Sequence, residues 1–309
     1  VTANSRLGIF DWLDVPQLKS GTNADEDSGN FAMLDSIKAL QFVNRNIASF
    51  GGDAGNVTLM GQSAGAINVY ALLTSPLMVN ANPKLFHRAM PISGGLSLAS
   101  DLPAGSLPTL NPAAVALAQG NALLANLVIA DGKAADAAAA QTYIATQTNA
   151  QIADYLRAKD PATLLTTLLT KLAALGLGGS GPIPDGSVLP VDPVAAINAG
   201  NYVKVPILAS NTRDEAKLFP TFLALAPALG GKSGRLVSVA TLFATQCNYR
   251  PDAAPTHGGG AAVALVDTAT GVEPRVADRP GVGPGDEHRG HVGAAGPGHR
   301  DEPGGSRAQ

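Results

Sequence analysis

Gly61-Gln62-Ser63-Ala64-Gly65 sets one serine between two glycines, with an apolar run before it and a helix-forming run after it. A Gly-x-Ser-x-Gly at a strand-to-helix switch is a nucleophile elbow: the turn is so tight that Ser63 must take a strained backbone conformation, which lifts its Oγ clear of the sheet edge. Both glycines are expected to be required, since a Cβ at either place would collide with the neighbouring strand and helix. The helix that follows points its N-terminus at the reacting centre, so its free N–H groups and dipole favour a developing oxyanion. The Ala64 N–H would be one donor. This equipment suits acyl transfer through serine. That chemistry further needs a base for Ser63, an acid to orient the base, and two or three oxyanion donors.

The elements that must position Ser63 are legible around it. Asn56 to Met60 (NVTLM) is apolar and β-branched, bounded by Gly55 and Gly61, and reads as a buried strand. Ala64 to Leu73 lacks proline and reads as a helix. Upstream, Phe31 to Phe50 predicts a second helix, because Met33, Ile37, Leu40, Val43 and Ile47 recur at helical spacing along one stripe. Gly51-Gly52 should end it. Helix, strand and helix make one βα unit of a mostly parallel sheet, expected to be covered on both faces.

The stretch Phe50-Gly51-Gly52-Asp53 to Ser63-Ala64-Gly65-Ala66 (FGGDAGNVTLMGQSAGA) closely resembles the elbow region of type-B carboxylesterases, the family that includes the cholinesterases. The resemblance implies an α/β-hydrolase fold, partial and spanning roughly residues 1 to 250, that hydrolyses carboxylic esters through an acyl-enzyme on Ser63. It implies a small-molecule ester as substrate and no cofactor or metal. Val1 to Phe10 (VTANSRLGIF) resembles the strand that precedes the elbow region, and Leu85 to Gly94 the next sheet strand, in which His87 is not catalytic. The Ala- and Leu-rich helical stretch from Asn111 to Leu177 resembles the excursion that relatives make between sheet strands. Within it, Asp160-Pro161 is a good helix start. Gly181 to Pro190 resembles the loop before the acid strand, and Val203 to Ala209 (VKVPILA) that strand itself. Residue by residue, Glu215 then takes the position of the triad acid and Asp214 the neighbouring acidic place. A carboxylate there holds the catalytic imidazole in one tautomer and stabilises its cation.

Two parts of the machinery lack a clear counterpart. The family's other oxyanion donors come from a His-Gly-Gly motif that would precede Val1. His257-Gly258-Gly259-Gly260 imitates that motif on the wrong side of the elbow. The base should lie well downstream of the acid, after a late strand. No convincing strand precedes His257, His288, His291 or His299, and His257 is the least poor candidate. Gln62 stands where many relatives carry Glu, which should alter the field at Ser63 without removing the nucleophile. A catalytically silent, cholinesterase-like binding module is the alternative reading, and a mistranslated fragment that never folds stably a third.

Composition narrows the rest. With 309 residues and a net charge of −3, the chain has core enough for one large domain or two, and no electrostatic case for nucleic acid. No apolar run is expected to reach the ~18 residues of a membrane span. Val1 is not a start methionine, and the opening reads as mid-domain sequence. The single cysteine, Cys247, excludes an internal disulfide and reads as a small core residue. From 251 to 309 the chain is dominated by Gly, Pro, Ala, Arg and His, and holds four of the five histidines. Such a segment cannot bury enough apolar area to offset chain entropy and is expected to be disordered. The mixture is also what GC-rich codons yield out of frame.

Overall fold

In the computed structural model, residues 1–101 and 108–211 are described, together with the backbones of two short strands at 263–266 and 275–276. Val1 to Arg6 lie exposed and form no strand, contrary to expectation. No neighbouring strand among the described residues offers them a ladder; the pairing begins later, with an isolated bridge from Trp12 to Asn30. The Leu13 N–H donates to the Gly29 carbonyl at 3.2 Å.

Helix α1 (Phe31–Asn46) continues as a tighter turn through Ile47–Phe50 and ends on Gly51 with φ 77°. Met33, Ile37 and Leu40 are its buried stripe. Asn30, fully buried, sits where a capping residue would, but its side chain turns elsewhere. Its amide oxygen accepts from the Ile183 N–H at 2.8 Å, and its Nδ2 donates to the Ile183 carbonyl at 2.9 Å and to Asp185 at 3.0 Å. Asp185 in turn accepts from the backbone N–H groups of Ser187, Val188 and Leu189. The Gly181–Pro190 loop is thereby stapled to the start of α1.

Strand β1 (Thr58–Gln62) leads through Ser63 into α2 (Ala64–Thr74), followed by the short α3 (Pro76–Val79) and strand β2 (Arg88–Ile92). The chain then leaves the sheet for α4 (Ala113–Ala130), α5 (Ala137–Ala145), α6 (Asn149–Arg157) and α7 (Pro161–Thr167). A wider helical turn at Leu168–Leu172 and a tighter one at Ala173–Leu175 prolong α7. Asp160 caps α7 as expected, accepting from the Thr163 N–H at 3.3 Å with Pro161 in the first turn. Thr148 and Gln151 form a reciprocal capping box on α6. These helices close around a second core, with Leu123, Leu124, Leu127, Val128, Ile152, Leu168 and Leu172 at its centre and Ile9 and Val15 of the N-terminal segment within it. Against expectation, α4 is long and apolar enough to cross a membrane by length and composition alone. Its buried face, however, packs into that helical core.

Helix α8 (Pro193–Asn198) returns the chain to β3 (Ile207–Ser210). Strands β1, β2 and β3 are parallel neighbours, with Gln62 opposite Ile92 and Ile92 opposite Ser210. Strands β4 (Val263–Val266) and β5 (Arg275–Val276) add antiparallel beyond β3. This corrects the expectation of no strand past residue 250 at these two places: Val263-Ala264-Leu265-Val266 is a short apolar run that the surrounding composition masks. The rest of 251–309, Cys247 and the acid segment from Thr212 onward lie outside the described residues.

The sheet also departs from the two-faced expectation. Leu59 and Gly61 lie level with Ala89 and Pro91 and are covered by the core containing α2. On the opposite face Thr58, Met60 and Gln62 are exposed, with Met60 64% accessible. Among the described residues strand β1 is therefore an edge strand with one open face, where a buried strand was expected.

Candidate active site

Ser63 is the single residue between β1 and α2, with φ 57° and ψ −120°. A residue with a Cβ enters that region at a cost of about 1–3 kcal/mol, so neighbours must hold it there. Three backbone hydrogen bonds do. The Ser63 N–H donates to the Ile92 carbonyl at 2.9 Å, across to β2. The Ser63 carbonyl accepts from Ala66 N–H at 2.9 Å and Ile67 N–H at 3.1 Å, closing the first turn of α2.

The two elbow glycines are not equivalent. A Cβ on Gly61 would lie 2.2 Å from the Gly65 carbonyl oxygen and 2.4 Å from its carbon, an impossible overlap. A Cβ on Gly65 would meet nothing within 4 Å among the described residues. Only Gly61 is thus required by close approach, which corrects the symmetrical expectation. The tight place is where β1 passes under the first turn of α2, and only one side of the turn is pressed.

Serine at a helix N-cap ordinarily turns its hydroxyl onto the helix's free N–H groups. Ser63 does not: it makes no side-chain cap, and the residue is exposed. Its Oγ is left available, and the Ala64 N–H at the head of α2 has no hydrogen-bond partner among the described residues. An uncapped serine hydroxyl and an N–H suited to an oxyanion thus sit on consecutive residues at the positive end of an eleven-residue helix.

The neighbouring strand ends complete the setting. Ser93, directly after β2, also takes a left-handed φ of 54°, and its N–H donates to the Ser210 carbonyl at 2.7 Å. Three parallel strands therefore finish level at Gln62, Ile92 and Ser210, and their carboxyl ends form the edge at which open α/β sheets bind ligands. Asp214 and Glu215 follow Ser210 in the chain, outside the described residues. His257, His288, His291 and His299 lie outside them as well. His87 is at the opposite, amino end of the strands, where its Nδ1 accepts from the Val57 N–H at 3.3 Å. That contact fits a packing histidine. Gln62 is exposed beside the serine. Among the described residues no group of three His, Cys, Asp or Glu side chains is placed to hold a metal. Ser93 and Gly94 escaped the reading of the sequence; their one signal was a Ser-Gly-Gly run directly after a strand.

The sequence pattern of the carboxylesterase family matches residues 1–253. This chain belongs to that family. Among its relatives, it is 31% identical over 239 residues to liver carboxylesterase 1F of Rattus norvegicus, covering 74% of this chain and 36% of the relative. It is 32% identical to the fumonisin B1 esterase of Sphingopyxis macrogoltabida (71% of this chain, 34% of the relative). To the para-nitrobenzyl esterase of Bacillus subtilis (strain 168) it is 33% identical, covering 72% of this chain and 38% of the relative. The chain spans about a third of the length of these curated relatives. Its fold is similar to the crystal structure of a Geobacillus stearothermophilus carboxylesterase, at 28% identity and a TM-score of 0.53 over 74% of this chain and 41% of that one. A solved PNB esterase gives a TM-score of 0.52 at 25% identity, covering 79% and 48%. The α/β-hydrolase fold of the family is thus present here in part.

Proposed function

We propose that this chain carries the nucleophile half of a carboxylic-ester hydrolase. The observation that supports it most directly is Ser63 itself, strained at φ 57°, exposed, uncapped and one residue before the Ala64 N–H, which has no partner among the described residues. In this reading Ser63 Oγ attacks the acyl carbonyl of a small ester. The carbonyl oxygen takes up negative charge against the Ala64 N–H and the head of α2, the alcohol departs, and water hydrolyses the acyl-enzyme. Glu215 orients the imidazole that takes the Ser63 proton. His257, the first histidine after Glu215 in the chain, is the candidate for it. The relatives' names bring esters to the proposal as the substrate class. Ala64 is the oxyanion donor that this reading names among the described residues, and losing one such donor costs ~10²–10³ in turnover.

The test is reaction of the chain with p-nitrophenyl acetate and with a fluorophosphonate. Hydrolysis and labelling, both abolished by Ser63→Ala, are the expected result. Hydrolysis that survives Ser63→Ala would overturn the assignment of the nucleophile. A folded chain that neither hydrolyses nor is labelled would favour the silent binding module.

A further inference from the structure

Gly94 lies directly after the Ser93 turn and comes against the elbow from the side of β2. A Cβ built on it would sit 2.7 Å from the Ser63 carbonyl oxygen, 2.7 Å from Ala66 Cβ and 3.3 Å from the Ile67 nitrogen. The Ser63 carbonyl and the Ala64 N–H belong to one planar peptide, on opposite edges of it. Anything that pushes that oxygen therefore swings that N–H. From this geometry we infer that Gly94 is a positioning residue: by leaving room for the Ser63 carbonyl, it fixes the direction of the Ala64 N–H. The inference rests on the reading of Ser63 and Ala64 as nucleophile and oxyanion donor. Two anchors hold Gly94 in place. The Ser93 N–H is tied to Ser210 at 2.7 Å, and Ile92 accepts from the Ser63 N–H at 2.9 Å, so neither side of the contact can retreat easily. The neighbouring Gly95 is the internal control, since a Cβ there would meet nothing within 4 Å among the described residues.

Gly94→Ala, Gly95→Ala, Ala66→Gly and the double variant Gly94→Ala/Ala66→Gly should be compared with the parent for kcat, KM, fluorophosphonate labelling and melting temperature. A misplaced donor costs rate rather than ground-state binding, and displacements near 1 Å can cost about 10²-fold. Gly94→Ala should therefore lower kcat and the labelling rate by about 10- to 100-fold with KM within about twofold, while Gly95→Ala matches the parent. Ala66→Gly removes one of the two 2.7 Å clashes and leaves the other, on the Ser63 carbonyl. The double variant should regain melting temperature without regaining kcat. Recovery of both would show that packing on α2 was the whole effect, and overturn the inference. A Gly94→Ala rate equal to the parent's would overturn it too, as would a double variant that cannot fold, because one tilted peptide should not unfold the sheet. If the parent neither hydrolyses nor is labelled, the proposed function fails on its own account, and amide exchange over Ser63–Tyr70 decides this point. Faster exchange in Gly94→Ala and in the double variant than in Gly95→Ala sustains the inference; equal exchange sinks it.

Discussion

At the scale of single residues, the turn at Ser63 was readable because the motif is local. Glycine, serine and glycine within five positions suffice to place Ser63 between strand and helix, since these follow one another along the chain. What the motif could not say is which glycine is under pressure. The 2.2 Å approach of Gly61 to the Gly65 carbonyl exists only once β1 is laid beneath α2. The two substitutions should part company accordingly. Gly61→Ala should cost several degrees of melting temperature and most of the Ser63 reactivity. Gly65→Ala should be neutral or stabilising by up to about 1 kcal/mol, because alanine is the better helix former. Thermal unfolding of both variants checks this, and equal losses would show that Gly65 is also pressed. Ser93 and Gly94 were hidden for a related reason. Ser93 is tied to Ser210 of β3 and Gly94 comes against the elbow beyond β1, and no local pattern announces a contact across a sheet.

Elements were legible in kind and less so in extent. The cap on α7 fell where Asp160 and Pro161 put it, because capping is a matter of adjacent residues. Strand β3 begins only at Ile207, although Val203 and Val205 are buried just before it. The Val203 N–H is bonded to the Leu73 carbonyl at the end of α2, and Pro206 has no N–H, so this apolar stretch is bound to a helix before it joins the sheet. The segment ahead of α1 holds a further element-scale feature. Arg6 pairs with Asp35 of α1 at 2.7 Å and lies over the Phe31 ring. Asp11 is buried close by, with one carboxylate oxygen lacking a partner, and burial pushes its pKa up to about 6; Arg6 opposes that rise and Asp35 adds to it. A carboxyl group that holds its proton more tightly when folded stabilises the fold at low pH. That contribution fades as pH climbs from the ordinary carboxylate range through about 6. Asp11→Asn should therefore raise the melting temperature at pH 7 by about a few degrees, with the gap closing toward pH 4. Melts across that range would read it, and a gap that widens on acidification would reverse the assignment.

On the scale of the whole molecule, the family match ends at residue 253, beside the change in composition near Arg250. The helix–strand–helix order around the elbow also suggested a sheet enclosed on both faces, with β1 a buried strand. Instead β1 is at the edge among the described residues, with Met60 on an open face that it shares with the half-buried Met90 and Ile92. A parallel edge of that kind beside exposed apolar side chains is a surface on which copies of the chain should associate. Light scattering at tens of micromolar should find species larger than a monomer, and Met60→Lys should shift them toward the monomer. A strictly monomeric parent would show that the edge is protected in solution.

The chain leaves the sheet after Ile92 and re-enters it at Ile207, in the slot immediately alongside. Everything between is a detour that begins and ends at neighbouring addresses. The entropy of closing such a detour grows only with the logarithm of its length. The detour is nonetheless tied to the rest of the chain: its helical core, centred on Leu123, Leu127 and Leu172, also takes in Ile9 and Val15, and its return loop is held by Asn30. Insertions into the turns between α4 and α7 that leave those ties in place should therefore leave Gln62, Ile92 and Ser210 in register.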